Sequence, residues 1–211
     1  MQGRISEPLP AGLTVIETMR AEPDGRVQLW PLHLDRLRRD CAAVGFPLDE
    51  GRVSAVLAGL PRGQVLRARL TVDAAGAVAL THQPLAANPP LWLLRIADVR
   101  LSSSDPWLRI KTSHRPGYDA ARAALPGAVD EALLLNERGE ICEGTITTLF
   151  LEREGRLLTP ALDCGLLPGV LRASLLASGR AREAVLRPDD LEDGRILMGN
   201  ALRGLIPARL S

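Results

Sequence analysis

Of the 26 lysine and arginine residues in this chain, 25 are arginine and one is lysine, Lys111. Arginine serves as well as lysine for a surface charge, but its guanidinium stays protonated and cannot become a free amine nucleophile. A lysine that loses its proton can form a Schiff base with a carbonyl. A sequence that has placed arginine at every other cationic position and kept one ε-amine makes Lys111 the first candidate for chemistry. The competing reading is a leftover solvated lysine, which is what most lysines are.

Three further segments carry groups that could act on a ligand. Glu143 lies in Glu140-Ile141-Cys142-Glu143-Gly144-Thr145, just past the turn Asn136-Glu137-Arg138-Gly139. An unpartnered carboxylate is costly in an apolar setting, so Glu143 calls for a buried cationic partner. Leu166-Leu167-Pro168-Gly169-Val170-Leu171-Arg172 reads as a glycine turn opening a helix. The amides of Val170 and Leu171 would then point outward from a positive helix end and could hold a phosphate, although most helix N-termini carry no ligand. His33-Leu34-Asp35-Arg36-Leu37 places a cation, Arg36, on a helix, where a solvated arginine beside a satisfied histidine is the competing reading.

An α/β framework must position these groups. Strands are expected over 14–19 and 27–30 around the turn at Asp24-Gly25, followed by a helix over 32–44 with Leu34, Leu37, Cys41 and Val44 at helical spacing. A second helix is expected over about 50–60, with Asp49 as its cap. Alternation over 65–72 predicts a strand, and 78–80 and 91–96 are expected to continue the same sheet. The Pro- and Ser-containing stretch 98–107 suggests a linker. The expected organisation is a small N-terminal α/β domain over 1–100, a linker over 101–108 and a C-terminal domain over 109–211. That second half should hold a helix over 118–124, strands over 132–135 and 147–151, a helix after Pro168-Gly169 and a last strand near 196–198.

Composition narrows the function classes. A formal charge of +1 with 46% hydrophobic and 24% charged residues excludes a basic nucleic-acid footprint, a membrane-surface protein and a disordered chain. Apolar runs such as Leu91 to Leu94 are far too short to span a bilayer. The opening residues, with Glu7, Pro8 and Pro10, lack the apolar stretch of a signal peptide, so a cytoplasmic protein is expected. Cys41, Cys142 and Cys164 are odd in number and widely spaced, which points to reduced, buried thiols rather than a disulfide framework or a metal site.

Together and in this order, the segments resemble the fold-type IV family of pyridoxal-phosphate enzymes, which includes branched-chain and D-amino-acid aminotransferases and 4-amino-4-deoxychorismate lyase. The resemblance runs from Ile16-Glu17-Thr18-Met19-Arg20 through His33 to Leu37, Lys111-Thr112-Ser113-His114-Arg115, and Asp130-Glu131 with Asn136 to Gly139. It continues in Glu143-Gly144-Thr145 with Leu149-Phe150, Gly165 to Arg172, and Gly199-Asn200-Ala201-Leu202-Arg203-Gly204. It implies an α/β (α+β) fold of two small domains with pyridoxal 5'-phosphate between them, the C-terminal one binding the cofactor, and a homodimer. By resemblance, Lys111 forms the internal Schiff base and then moves protons, while Glu143 pairs with the protonated pyridine nitrogen. Arg36 would bind the phosphate, helped by the amides of Val170 and Leu171 and by Asn200. A lysine with a reference pKa of about 10.4 must be shifted to act near neutrality, and cofactor and burial supply that shift. Tyr118, the only tyrosine, could donate to the cofactor's phenolic oxygen or be a core or surface residue.

Two departures accompany the resemblance. Family members usually carry an extra N-terminal strand and loop, whereas this chain starts only a few residues before Ile16-Glu17-Thr18, so that edge is expected to be built differently or left open. The family's asparagine before Leu-Phe is Thr148 here, a shorter hydrogen-bonding side chain. The local sequence reads closest to the lyase branch, which releases pyruvate and forms 4-aminobenzoate for folate synthesis. Its substrate carries two carboxylates, which suit bidentate arginines; Arg67, Arg69, Arg115 and Arg203 are the candidates. An aminotransferase acting on branched-chain or D-amino acids would use the same Lys111 and Glu143. A third reading is an inactive cofactor-binding relative with a regulatory role. The expected partner is a small-molecule substrate, with no nucleic acid, membrane or metal.

Overall fold

A computed structural model describes Ile5 and residues 8–211. The reading of the opening residues as lacking an apolar leader falls in part on residues 1–4, 6 and 7, outside the described residues. The chain divides into two compact units: residues up to Ala87 together with Ile110–His114, and Asn88–Arg109 together with Arg115–Ser211.

The first unit contains β1 (Val15–Ala21), α1 (Trp30–Val44), α2 (Glu50–Ala58), β2 (Leu66–Val72) and β3 (Val78–Pro84). The strands form an antiparallel sheet in the order β1-β2-β3. In β2 the residues Leu66, Ala68, Leu70 and Val72 are buried while Arg67, Arg69 and Thr71 are half-buried, the two-residue period of a strand with one face on a core. The helix α2 is capped by Asp49, whose side chain accepts the amide of Arg52 at 3.0 Å. The expected strand over 27–30 is absent. Only Val27 makes an isolated bridge to Ala21, Leu29 turns the chain at φ 55°, and Pro31 in the first turn of α1 lacks the N–H a ladder requires. The buried stripe of α1 also differs from the apolar one expected: it runs through His33, Arg36, Leu37, Asp40, Cys41 and Val44, with Leu34 only partly covered. The spacing is helical, but of the seven buried positions, Ala43 among them, three are polar: His33, Arg36 and Asp40.

The second unit holds β4 (Trp92–Leu101), α3 (Pro116–Ala123), β5 (Glu131–Asn136), β6 (Ile141–Gly144), β7 (Thr148–Arg153), β8 (Arg156–Pro160), α4 (Val170–Ala177), β9 (Ala181–Ala184), β10 (Arg195–Asn200) and β11 (Gly204–Leu210). They form an eight-stranded mixed sheet in the order β6-β5-β4-β11-β10-β7-β8-β9. The pairs β4/β5, β4/β11 and β8/β9 are parallel and the others antiparallel. Every residue of β5 is buried, which explains its unbroken Ala132-Leu133-Leu134-Leu135 run. One core lies under Leu94, Leu133, Ile141, Leu149, Leu151 and Ile206; another joins Leu101, Leu108, Leu134, Cys142, Cys164 and Leu166, with Tyr118 packed against it. All three cysteines are buried free thiols. Among the described residues, no helix is long and apolar enough to cross a membrane.

The structure draws the domain boundary elsewhere than at 101–108. Residues 91–96 do not continue the first sheet, because β4 pairs with β5 and β11. Lys111, expected in the C-terminal domain, belongs with the first unit: the amide of Ile16 donates to Lys111 O at 2.8 Å, the amide of Ser113 donates to Thr14 O at 2.9 Å, and Thr112 bridges to Val15. A short segment is thus captured by a strand nearly a hundred residues earlier, a pairing that local composition does not report.

Candidate active site

Two elements of the first unit hold Lys111. Its carbonyl accepts the Ile16 amide of β1, and its own amide donates to Asp40 Oδ2 of α1 at 2.8 Å. Asp40 is fully buried and its other oxygen accepts Nε and Nη2 of Arg39, at 2.9 and 2.7 Å. Burial pushes the Asp40 carboxyl above its ordinary range, opposed by Arg39 and by the Lys111 amide.

One turn earlier on α1, Arg36 donates through Nε and Nη2 to the two oxygens of Glu17, at 2.7 and 2.6 Å, and His33 Nδ1 lies 2.6 Å from Glu17 Oε2. All three side chains are buried. Burial alone would raise the Glu17 carboxyl, but the Arg36 charge and hydrogen bonds outweigh it and bring the group down to about 2. The solvated-arginine reading of Arg36 is therefore replaced by a bidentate buried ion pair, made possible because Glu17 points inward from β1.

In the second unit, Glu143 Oε1 accepts the Tyr118 hydroxyl at 2.6 Å and the Leu167 amide at 2.8 Å. Tyr118 is held well above its ordinary range by burial first and by Glu143 second, so it remains a neutral donor. The guanidinium of Arg115 sits 5.0 Å over the Tyr118 ring and donates to Thr145 O at 2.6 Å. The loop 145–147 hangs from the buried Glu131, which accepts the amides of Thr145 and Ile146 at 3.0 and 3.1 Å and the hydroxyl of Thr147 at 2.9 Å. Gly144 permits this: a Cβ there would meet Glu131 at 2.9 Å and Thr147 Oγ1 at 2.6 Å. Asn200 ties in from the other side, donating to Ile146 O at 3.1 Å while its oxygen accepts the amides of Leu202 and Arg203.

The start of α4 adjoins these groups. Gly169 precedes Val170 with no side chain capping the first turn. Thr148 Oγ1 lies 3.0 Å from where a Cβ on Gly169 would be, and Leu171 lies 2.9 Å from the same position on Gly199. The second unit therefore ties Glu143 to Tyr118 and to the Leu167 amide, three residues before α4, and Asn200 to Ile146, with Leu171 of α4 against Gly199; the first unit ties Lys111 to α1, the helix that also carries Arg36. Of the arginines proposed for carboxylates, Arg69 is half-buried on β2 opposite Thr18, Arg115 is engaged with Thr145 and Tyr118, and Arg203 donates to Asn88 Oδ1 at 2.9 Å.

Sequence reasoning missed Asp40 as a partner of Lys111 and left Glu131 without a role. A signal existed for Asp40: at helical spacing it shares a face with Arg36 and Leu37, so a carboxylate stood on the buried side of α1. The Tyr118 hydroxyl has found Glu143, a partner that spacing did not suggest.

Each unit, taken by itself, carries groups of a kind that suits pyridoxal phosphate. An uncapped helix start beside a glycine suits a phosphate, a buried carboxylate fixed through one oxygen suits a pyridinium, and a backbone-anchored lysine suits an aldehyde. The model of the family described as amino-transferase class IV matches residues 14–210. A Schizosaccharomyces pombe protein named "putative aminodeoxychorismate lyase" is 28% identical over 191 residues, 85% of this chain and 83% of its own. The crystal structure of a "putative amino-acid aminotransferase" from Mesorhizobium loti superposes with a TM-score of 0.90 at 45% identity, over 94% of this chain and 100% of that one. The fold is also that of 4-amino-4-deoxychorismate lyase from Pseudomonas aeruginosa, with TM-score 0.77, 23% identity, and 99% and 89% of the two chains covered. With residues 14–210 matched, this chain belongs to the class IV amino-transferase family and is a pyridoxal-phosphate-dependent enzyme.

Proposed function

We propose that the chain is a 4-amino-4-deoxychorismate lyase, converting its substrate to 4-aminobenzoate and pyruvate. The observation that carries this reading is the sequence similarity to the S. pombe protein along most of both chains; the branched-chain aminotransferase relative from Thermotoga maritima aligns in sequence over 47% of this one, although the fold of a "putative branched-chain amino acid aminotransferase" from that organism covers 98% of it. When bound, pyridoxal phosphate supplies an electron sink for the carbon that bears the substrate amine. Lys111 would hold the group through its amine, the Val170 and Leu171 amides with Arg36 would take its phosphate, and Glu143 would face its ring nitrogen. Released from that bond, the Lys111 amine takes the proton from the amine-bearing ring carbon. The bond from the ring to the enolpyruvyl oxygen breaks as the ring becomes aromatic, its electron pair leaving with the oxygen, and the departing enolate takes up a proton at its methylene to become pyruvate. Glu143, oriented by Tyr118 and the Leu167 amide, keeps a compensating negative charge in place throughout.

The 45% identity to the M. loti protein favours a second reading, amino-group exchange with a keto acid. Turnover separates the two. A lyase returns to its starting state each cycle, so 4-aminobenzoate and pyruvate should accumulate over many turnovers with no keto acid present. A transaminase stops after one half-reaction until an acceptor is supplied. Bleaching of the enzyme's colour by a branched-chain or D-amino acid, restored by a keto acid and with no aromatic product, would select the second reading.

A further inference from the structure

We propose that Asp40 is the positioning residue for Lys111, fixing the peptide from which the reactive amine projects. The inference rests on the proposed role of Lys111. The two peptide groups flanking the Lys111 Cα are held by two different elements: β1 takes the carbonyl through Ile16, and α1 takes the amide through Asp40 Oδ2. The Lys111 backbone is thereby anchored on both sides of its Cα. Such pre-orientation is what converts a tethered nucleophile into an effective one.

The chemistry of Asp40 argues against a packing role. A carboxylate fully buried in a helix face costs more than an apolar residue of similar size would. Its two oxygens divide the work. Oδ1 takes both contacts from Arg39, an adjacent side chain that must bend back because neighbouring helix positions do not face each other. Oδ2 is thereby turned to the Lys111 amide.

The lone lysine makes the test site-specific. Apo-protein would be mixed with pyridoxal phosphate and borohydride, and the rate of covalent trapping at Lys111 followed by peptide mass spectrometry, for wild type, Asp40→Ala and Asp40→Asn. Asp40→Ala should trap at least tenfold more slowly with an unchanged circular dichroism spectrum. Asp40→Asn, which keeps an oxygen to accept the amide, should recover to within about threefold of wild type. Hydrogen exchange in wild type should show the Lys111 amide as protected as that of Ser113, which decides the matter if Asp40→Ala does not fold. Wild-type trapping by Asp40→Ala, no recovery in Asp40→Asn, or an unprotected Lys111 amide would each overturn the proposal and leave the lyase reading standing. Absence of trapping at Lys111 in wild type would instead remove both.

Discussion

Tyr118 and Glu143 share one hydrogen bond of 2.6 Å, and the Leu167 amide donates to the same carboxylate oxygen at 2.8 Å. The tyrosine thus bears directly on the carboxylate. Two donors on Oε1 fix the plane of Glu143, and Arg115 fixes Tyr118 from behind by standing over its ring. Removing the hydroxyl while keeping the ring isolates this link. Tyr118→Phe should lower kcat/KM by about 10- to 100-fold, the worth of a hydrogen bond to a charged group at roughly 1.5–3 kcal/mol. Its thermal midpoint should fall by no more than about 3–12 °C, the worth of that one bond in a chain of this size, because the stacking on Arg115 and the packing remain. In a Glu143→Gln background the same change should add almost nothing, as expected for residues that act as a unit.

Glu143→Gln itself should leave the fold intact and reduce turnover by about 100-fold or more, since an amide cannot balance a positive ring nitrogen in a buried setting. Cofactor content is to be measured alongside the rate. Wild-type turnover with cofactor bound would show that Glu143 does not face the ring nitrogen.

The buried Glu17–Arg36 pair sets an acid limit on stability. The folded carboxyl is brought from its ordinary 4.5 to about 2, so the unfolded chain binds the proton more readily. The stabilisation is therefore complete above about pH 4.5 and is lost as pH falls toward 2. Glu17→Gln should destabilise the protein at neutral pH by about 3–5 kcal/mol by leaving the Arg36 charge buried without its partner. It should also flatten the pH dependence between 4.5 and 2. Urea unfolding across that range measures both, and an unaltered slope in the variant would sink the assignment.

Gly165 supports the site from a distance. It holds φ at 85°, and a Cβ there would lie 2.6 Å from the Ser103 Cα, a backbone atom that cannot swing aside. Gly165→Ala should cost roughly 2–4 kcal/mol, from left-handed strain plus overpacking. Because the segment leads directly to the Leu167 amide that steadies Glu143, activity should fall further than the loss of folded protein alone accounts for. A thermal midpoint within 2 °C of wild type would contradict this account.

Much of the candidate site was legible in residue types. A single ε-amine among 25 guanidinium groups is a property of composition, and the start of α4 follows from Pro168-Gly169 before an apolar run. The alternation in β2 and the helical spacing of α1 were readable because side-chain period is a local consequence of backbone geometry. Partners were not readable in the same way. Period shows which face turns inward, but not what waits there, so the inward charges of α1 remained unexplained until Glu17 and the Lys111 amide came against them. Nor could it show that β4 leaves the first sheet while residues 110–114 rejoin it, because strand partners are chosen by topology and by the packing of distant residues. The sequence by itself singled out Lys111 as the candidate nucleophile; tertiary structure decided that β1 and α1 hold its backbone, since only folding brings Ile16, Asp40 and Lys111 within hydrogen-bond reach.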